Sequence, residues 1–214
     1  MAAAEDPSLR RRVRRTTRTS LVYLQLQPRS YPALKDPRVR RAIWHAIDRD
    51  RLVDGVQRAI NLRADGFVPP GVAGNDRVQN IPDFDVAVAR ELVARAGYRP
   101  SYPLPPISIS VASSSDLREA AESIASDLRV NLGVKADVEI MPAEALQERN
   151  RAGRLPFFLT GWTGDFEHPE NYLPMLFGTG SSENRSGYSD ARVDRLFARA
   201  APLETIVQRD ALYD

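Results

Sequence analysis

The stretch that decides the fold is "LPFFLTGWTGDFEHPEN", residues 155–171, in which an apolar run gives way abruptly to a polar loop. A continuous apolar run of this length is typical of a β-strand that is buried on both faces. Gly161 and Gly164 then allow the backbone to turn sharply where the run ends. The sequence therefore predicts a strand at 157–161 that delivers Trp162 and Asp165 to one edge of a sheet.

The segments between residue 107 and this strand alternate between strand and helix patterns. "ISISVAS" and "VKADVEI" have strand patterns, whereas "DLREAAESIASDLRVNLG" and "PAEALQERNRAGR" have helical ones. In the longer helix, Leu117, Ala121, Ile124 and Leu128 share one stripe and Gly133 marks the end. The resulting order β-α-β-α-β predicts an α/β fold, with a mixed and mostly parallel sheet flanked by helices.

The first half of the chain contains a helix pair and a third helix with clear end signals. In "KDPRVRRAIWHAIDRDRLVDGV", Asp36 is a natural N-cap, Pro37 fits the first helical position and Asp48 caps a second short helix. In "FDVAVARELVARAGY", Asp85 begins the helix and Gly97 suits the position after its end. A strand at 18–27 and two late helices at 190–200 and 203–213 are also predicted.

Composition excludes several classes of function. The 214 residues carry a net charge of +2, so the whole molecule has no strong field toward nucleic acid or a membrane surface. The chain has no cysteine, which removes thiol catalysis, disulfides and thiolate metal sites together. No apolar segment approaches the roughly 20 residues that span a bilayer, and the first residues lack the apolar region of a signal peptide. We expect neither a membrane-spanning segment nor a cofactor.

Two further features are interpreted as structural. The arginines between Arg10 and Arg18 could form a nucleic-acid arm, but no interleaved aromatic residues or glycines accompany them, so a solvated lead-in to the first strand is favoured. His45 has no second histidine or carboxylate at a metal-ligand spacing, so a structural histidine is favoured over a ligand.

The loop that follows the buried strand is the candidate functional site. In open α/β sheets, ligands bind outside the carboxyl ends of the strands. Trp162 offers a large rigid face and Asp165 a fixed negative charge, which together suit a cationic or amide-bearing ligand. A ligand-binding loop is the favoured interpretation, and a purely structural loop is the next.

Catalysis and metal binding are also possible in this loop. Asp165 with Glu167 or Glu170 could act as an acid/base pair in a small hydrolase. However, carboxylates so close in one loop rarely hold the fixed separation that glycoside hydrolysis requires, and no G-x-S-x-G motif is present. A metal site would need His168 beside Asp165 and Glu170, but their irregular spacing matches no known cage.

Several long motifs, in order, resemble the bacterial extracellular solute-binding proteins of family 5, the peptide and nickel receptors of ABC importers. "LKDPRVRRAIWHAIDRDRLVDGV" is similar to the family's D-x-R-V-R-x-A-I-x-x-A-I-D-R helix pair, and "FDVAVARELVARAGY" to its D-x-x-x-A-x-x-L-L-x-x-A-G-Y helix. "GWTGDFEHP" followed by "NRSGYSDARVD" resembles G-W-x-x-D-Y-x-D-P and N-x-S-G-Y-x-N-P-x-V-D. More weakly, "LVYLQLQ" resembles the strand by which family members enter their second lobe.

The resemblance implies a periplasmic-binding-protein-like lobe over residues 18–214, preceded by a basic lead-in, 1–17, that is partly an artificial start. Family members are more than twice as long, so a first lobe and a C-terminal return segment are expected to be missing. The intact protein would be an extracytoplasmic, non-catalytic receptor that closes two lobes around a peptide or another small molecule and delivers it to an ABC permease. An inactive truncated fragment is the alternative.

The resemblance also implies which residues would touch the ligand. Asp165 matches the position that pairs with the ligand's α-ammonium in peptide-binding members, and Trp162 matches an aromatic wall of the same cleft. Thr163, Gly164 and Phe166 belong to the same binding segment. Phe166 replaces a tyrosine of many relatives, and Asp190 with Ala191 replaces an Asn-Pro pair that we expect to matter for the start of a helix and not for binding.

Overall fold

A computed structural model describes residues 19–56, 61–72, 75, 82–113, 116–203 and 208. The Arg-rich run at 10–18 and nearly all of the helix predicted at 203–213 lie outside these residues.

A four-stranded mixed sheet forms the centre of the molecule. Its strands are β1 (Ser20–Leu26), β2 (Ile107–Ala112), β3 (Ala136–Met141) and β4 (Phe157–Thr163), arranged in the order β1-β4-β2-β3. β2 runs parallel to both β3 and β4, whereas β1 runs antiparallel to β4. The predicted β-α-β-α-β order and mixed sheet are therefore confirmed, and the first strand pairs with the last of the four.

Every predicted helix that lies within the described residues forms close to its predicted bounds, and one short helix that was not predicted, Leu173–Phe177, adds to them. They are α1 (Pro37–Ala46), α2 (Arg49–Val56), α3 (Val86–Arg95), α4 (Arg118–Leu132), α5 (Ala143–Arg151), α6 (Leu173–Phe177) and α7 (Ala191–Ala200). The carboxylates of Asp36, Asp85 and Asp190 each accept a main-chain N–H in the first turn of the helix they precede. Asp48 accepts the N–H of Arg51 in α2 at 3.0 Å. The caps satisfy helix N–H groups that have no partner inside the helix.

Short elements around prolines were not predicted. Among the described residues, 3₁₀ turns form at Pro32–Lys35 and Pro169–Asn171, and α6 has only five residues. Each begins at or next to a proline, whose fixed φ suits the first helical position. Segments this short carry too little hydrophobic periodicity to be recognised in the sequence.

The core lies on both faces of the sheet. On one face, Ile107, Ile109 and Phe157 are buried against α1 and α4, whose Val39, Ile43, Ala46 and Leu128 are also buried. On the other face, Phe158 packs with Met141, Leu146 of α5 and Leu155 in a smaller cluster. Successive residues of β4 thus enter opposite clusters, as expected for a strand covered on both sides.

His45 has a structural role, as predicted. It is buried near the end of α1, and its Nδ1 lies 2.7 Å from the carbonyl oxygen of Asp83. The carbonyl of His45 in turn accepts the N–H of Asp85, the capping residue of α3. Within the described ranges, no helix combines the length and the apolar character that crossing a bilayer requires.

Candidate functional site

β4 runs to Thr163, two residues beyond its predicted end, so Trp162 lies in the strand. Gly161 pairs with Val22 of β1 and does not form the predicted turn.

The side chain of Trp162 is held in a fixed orientation. Its ring is half-buried against the cluster formed by Val68, Val72 and Tyr172. The indole N–H donates a 2.7 Å hydrogen bond to the carbonyl oxygen of Asn171. A tryptophan anchored by both its ring and its polar atom presents one remaining face as a rigid wall.

The backbone of the loop that follows is fixed at three consecutive N–H groups. The N–H of Gly164 donates to the carbonyl oxygen of Thr19 at 2.9 Å. The buried side chain of Asn171, with its amide oxygen turned toward the loop, accepts the N–H of Asp165 at 2.8 Å and that of Phe166 at 3.0 Å. The loop is therefore held on one side by Thr19, which is far from it in sequence, and on the other by Asn171, which follows it.

The side chains of Asp165 and Phe166 point outward from this fixed backbone. Both residues are exposed, and Phe166 retains 53% of its accessible surface. No described residue forms a hydrogen bond or an ion pair with the Asp165 carboxylate. A carboxylate that is held on a rigid backbone and is free of internal partners can receive a cationic group without giving up an existing interaction.

Thr163 and Gly164 contribute in different ways. Thr163 is exposed, and its hydroxyl lies 3.0 Å from that of Ser20 on the neighbouring strand. Gly164 is half-buried, and a Cβ atom at this position would lie 2.3 Å from the hydroxyl oxygen of Tyr172. Gly164 is thus required for close packing of the loop, while Thr163 remains available at the surface.

The residues that metal binding would require do not form one site, and those named for catalysis differ in burial. His168 is buried, and its Nδ1 accepts the N–H of Glu170 at 3.2 Å, which caps the 3₁₀ turn at Pro169–Asn171. Asp165 and Glu167, in contrast, are exposed. In the part of the chain that the structure covers, no three His, Asp or Glu side chains are arranged to hold a metal ion.

A partly open cavity of about 150 Å³ lies at the carboxyl ends of β2 and β4, and none of residues 162–166 is among its lining residues. Gly161 and Thr160 of β4 line it, directly before Trp162. Further lining comes from Ala112, from Leu117 before α4 and from Leu146 of α5. None of the described residues that line the cavity is charged.

Comparisons with known proteins agree with this fold. The dipeptide-binding protein of Escherichia coli (strain K12) is 29% identical over 170 residues, which cover 78% of this chain and 31% of that protein. Heme-binding protein A of Haemophilus influenzae is 27% identical over 183 residues, covering 82% of this chain and 33% of that protein. The solved structure of Burkholderia pseudomallei OppA superimposes with a TM-score of 0.82 at 29% identity, covering 92% of this chain and 40% of that one.

Residues 2–184 match the family described as bacterial extracellular solute-binding proteins, family 5, middle. The chain belongs to this family, as its motifs predicted. The structural similarity to OppA also confirms the predicted periplasmic-binding-protein-like fold. The chain spans about a third of the length of the curated relatives named above.

Sequence reasoning missed the residues that support the site. No role was predicted for Asn171, Thr19 or Tyr172 from the sequence. Their contacts join residues that are up to 153 positions apart, as between Tyr172 and Thr19. The one sequence feature that points to these supports is Gly164, because a glycine allows another group to approach the backbone closely.

Proposed function

We propose that this chain is one lobe of an extracytoplasmic receptor that binds peptides without changing them and delivers them to an ABC permease. In this proposal, residues 162–166, which span the end of β4 and the loop after it, form one wall of a cleft, and a second lobe supplies the opposite wall. Asp165 receives the α-ammonium group of the peptide, and Trp162 packs against its first residues. Thr163, Gly164 and Phe166 complete the wall.

The observation that carries this proposal is the exposed carboxylate of Asp165 on a backbone with three fixed N–H groups. An ion pair open to solvent contributes little to binding, because water competes with it. Closure of a second lobe would exclude that water and strengthen a charge-assisted hydrogen bond between the carboxylate and an ammonium group. A rigid loop also avoids the entropic cost of ordering the carboxylate when the ligand arrives.

The neighbouring cavity supports a peptide as the ligand. Gly161, which lines the cavity, directly precedes Trp162 in β4, and the lining is uncharged with leucine side chains. Such a cavity can accept an apolar side chain of a ligand whose ammonium group is held at Asp165. The first residue of a peptide carries both an α-ammonium group and a side chain on the same Cα atom.

Charge also favours a peptide over haem, although both kinds of ligand occur in the names of the relatives. Haem carries carboxylate groups at neutral pH, and these would be repelled by the exposed carboxylate of Asp165. Haem should therefore be titrated alongside the peptides, as the competing ligand, when binding is measured.

The surroundings of the loop support a non-catalytic role. Hydrolysis by Asp165 would require a second acid or base at a fixed distance. The nearby His168 is buried and caps a 3₁₀ turn, while Glu167 points to solvent. A screen of peptide and glycoside substrates tests the hydrolase alternative: turnover that disappears in Asp165→Asn would support it and contradict our proposal.

Calorimetry on the two-lobed receptor tests the binding role of Asp165. Asp165→Ala should weaken peptide binding by about 1.5–3 kcal/mol, as is typical of a hydrogen bond to a charged group. Glu167→Ala is the matched control, because it removes another exposed carboxylate from the same loop. Equal losses in the two variants would mean that only the overall charge of the loop matters.

A further inference from the structure

The main-chain carbonyl oxygen of Thr19 accepts two hydrogen bonds from the far end of the chain. One comes from the N–H of Gly164 at 2.9 Å and the other from the buried hydroxyl of Tyr172 at 2.8 Å. The hydroxyl of Thr19 also donates to the carbonyl oxygen of Gly164, at 3.3 Å. These three residues form a junction, which we call the Thr19–Gly164–Tyr172 junction.

The junction tolerates very little change in geometry. Tyr172 is fully buried, and a Cβ atom at position 164 would lie 2.3 Å from its hydroxyl oxygen and 2.7 Å from the adjacent ring carbon. Only glycine at this position lets the hydroxyl reach Thr19. The Tyr172 hydroxyl is protonated at neutral pH and acts as a donor, and burial raises its pKa further above the ordinary value.

The position of the junction links the start of the sheet to the candidate ligand loop. Thr19 directly precedes β1, and the first residue of β1, Ser20, pairs with Thr163, the last residue of β4. Asp165 follows Gly164 immediately. A shift at the beginning of β1 therefore moves the backbone that carries the Asp165 carboxylate.

We infer that Tyr172 is a positioning residue, which through Thr19 and Gly164 fixes the ligand loop to the beginning of β1 and so sets the place of Asp165 in the binding site. The expected effect of Tyr172 on ligand affinity rests on the proposed function. The mechanical link, by which the junction holds the loop to β1, does not depend on any ligand. Tyr172 itself need not touch the ligand, because it is fully buried. Removing its hydroxyl should loosen the loop while leaving the packing of the ring in place.

Tyr172→Phe in this chain tests the mechanical link, with Tyr31→Phe as the matched control. Tyr31 is also buried, and its hydroxyl also donates to a main-chain carbonyl, that of Pro105, at 2.6 Å. Hydrogen exchange of single amides, followed by NMR, should show the Gly164 amide exchanging about tenfold faster in Tyr172→Phe, the change expected when a net hydrogen bond is lost. The Tyr31→Phe variant should leave this amide unchanged.

Fluorescence gives a second readout that a general loss of stability would not produce. The chain has two tryptophans, so in a Trp44→Phe background Trp162 is the only emitter. Its emission should shift to longer wavelength in Tyr172→Phe and not in Tyr31→Phe. Identical exchange and emission in both variants would overturn the junction as a mechanical link.

The effect of Tyr172 on ligand binding is measured by titrating a free peptide into the two-lobed receptor and its variants. Tyr172→Phe should raise the Kd by about five- to tenfold, with no change for Tyr31→Phe. A loosened loop with an unchanged Kd would overturn the positioning role. A loosened loop in a receptor that binds no peptide even before substitution would support the link and refute the proposed function.

Discussion

The indole N–H of Trp162 donates a 2.7 Å hydrogen bond to the carbonyl oxygen of Asn171, and the Asn171 side chain accepts the N–H groups of Asp165 and Phe166. One buried residue therefore fixes both the aromatic wall and the charged tip of the candidate binding loop. The 3₁₀ turn at Pro169–Asn171 places Asn171 where it can do so. The loop is consequently a rigid part of the structure, although its side chains reach solvent.

Replacing Asn171 by alanine should loosen this loop. The N–H groups of Asp165 and Phe166 would lose their acceptor, and we expect the free energy of unfolding to fall by about 1–3 kcal/mol. Urea unfolding measures this loss, and amide exchange should be faster at both N–H groups. Asn131→Ala is the control, because Asn131 is also buried but donates to Ala46 on the other side of the molecule. Unchanged exchange at 165 and 166 in Asn171→Ala would show that the side chain does not hold the loop.

The two glycines Gly164 and Gly55 should respond in opposite ways to alanine. At Gly164 the added Cβ would collide with the Tyr172 hydroxyl, and such overpacking costs typically about 1–3 kcal/mol. At Gly55, inside α2, the added Cβ meets no atom within 4 Å, and alanine should stabilise the helix by about 0.5–1 kcal/mol. Thermal unfolding of the two variants checks both signs. A Gly164→Ala protein as stable as the parent would contradict the close packing of the junction.

Tyr23 should make the fold sensitive to alkaline pH. Burial, with a smaller contribution from nearby Glu183, raises the pKa of Tyr23 from 10.0 to about 12. The folded state thus keeps the phenol proton where the unfolded state releases it, so this contribution to stability is complete below pH 10 and is lost as the pH rises toward 12. We expect the parent to lose about 1–2 kcal/mol relative to Tyr23→Phe over this range, since the ring is only partly buried. Urea unfolding at several pH values measures the difference, and a constant difference would contradict the shift.

The sequence was sufficient for the elements that carry their own local signals. Asp36, Asp48 and Asp85 act as helix caps, and Gly133 ends α4 in a left-handed conformation, because these interactions lie within a few residues of each other. The buried strand β4 was also predicted, because its continuous apolar run before Trp162 is a local pattern. The antiparallel pairing of β1 with β4 could not be read locally, since its register joins residues such as Ser20 and Thr163.

The candidate site was predicted only in part. The strand, although it ends two residues later than predicted, and the exposed position of Asp165 agree with the sequence interpretation. The role of Asp165 in binding remains a prediction. The supports of the loop were missed, because Thr19 and Tyr172 contact it through a main-chain carbonyl and a hydroxyl that no sequence pattern marks. His168 and Glu170 lie close to Asp165 in sequence. However, the buried His168 accepts the main-chain N–H of Glu170 and caps a 3₁₀ turn, whereas the Asp165 carboxylate is exposed.

The most direct measurement is a calorimetric cycle that combines Asp165→Ala with removal of the charge on the ligand. A peptide and its N-acetylated form are each titrated into the two-lobed receptor and into its Asp165→Ala variant. If the carboxylate holds the α-ammonium group, acetylation should weaken binding to the receptor by about 10- to 100-fold and should have little further effect on the variant. An equal loss on acetylation in both proteins would show that Asp165 does not meet the ammonium group.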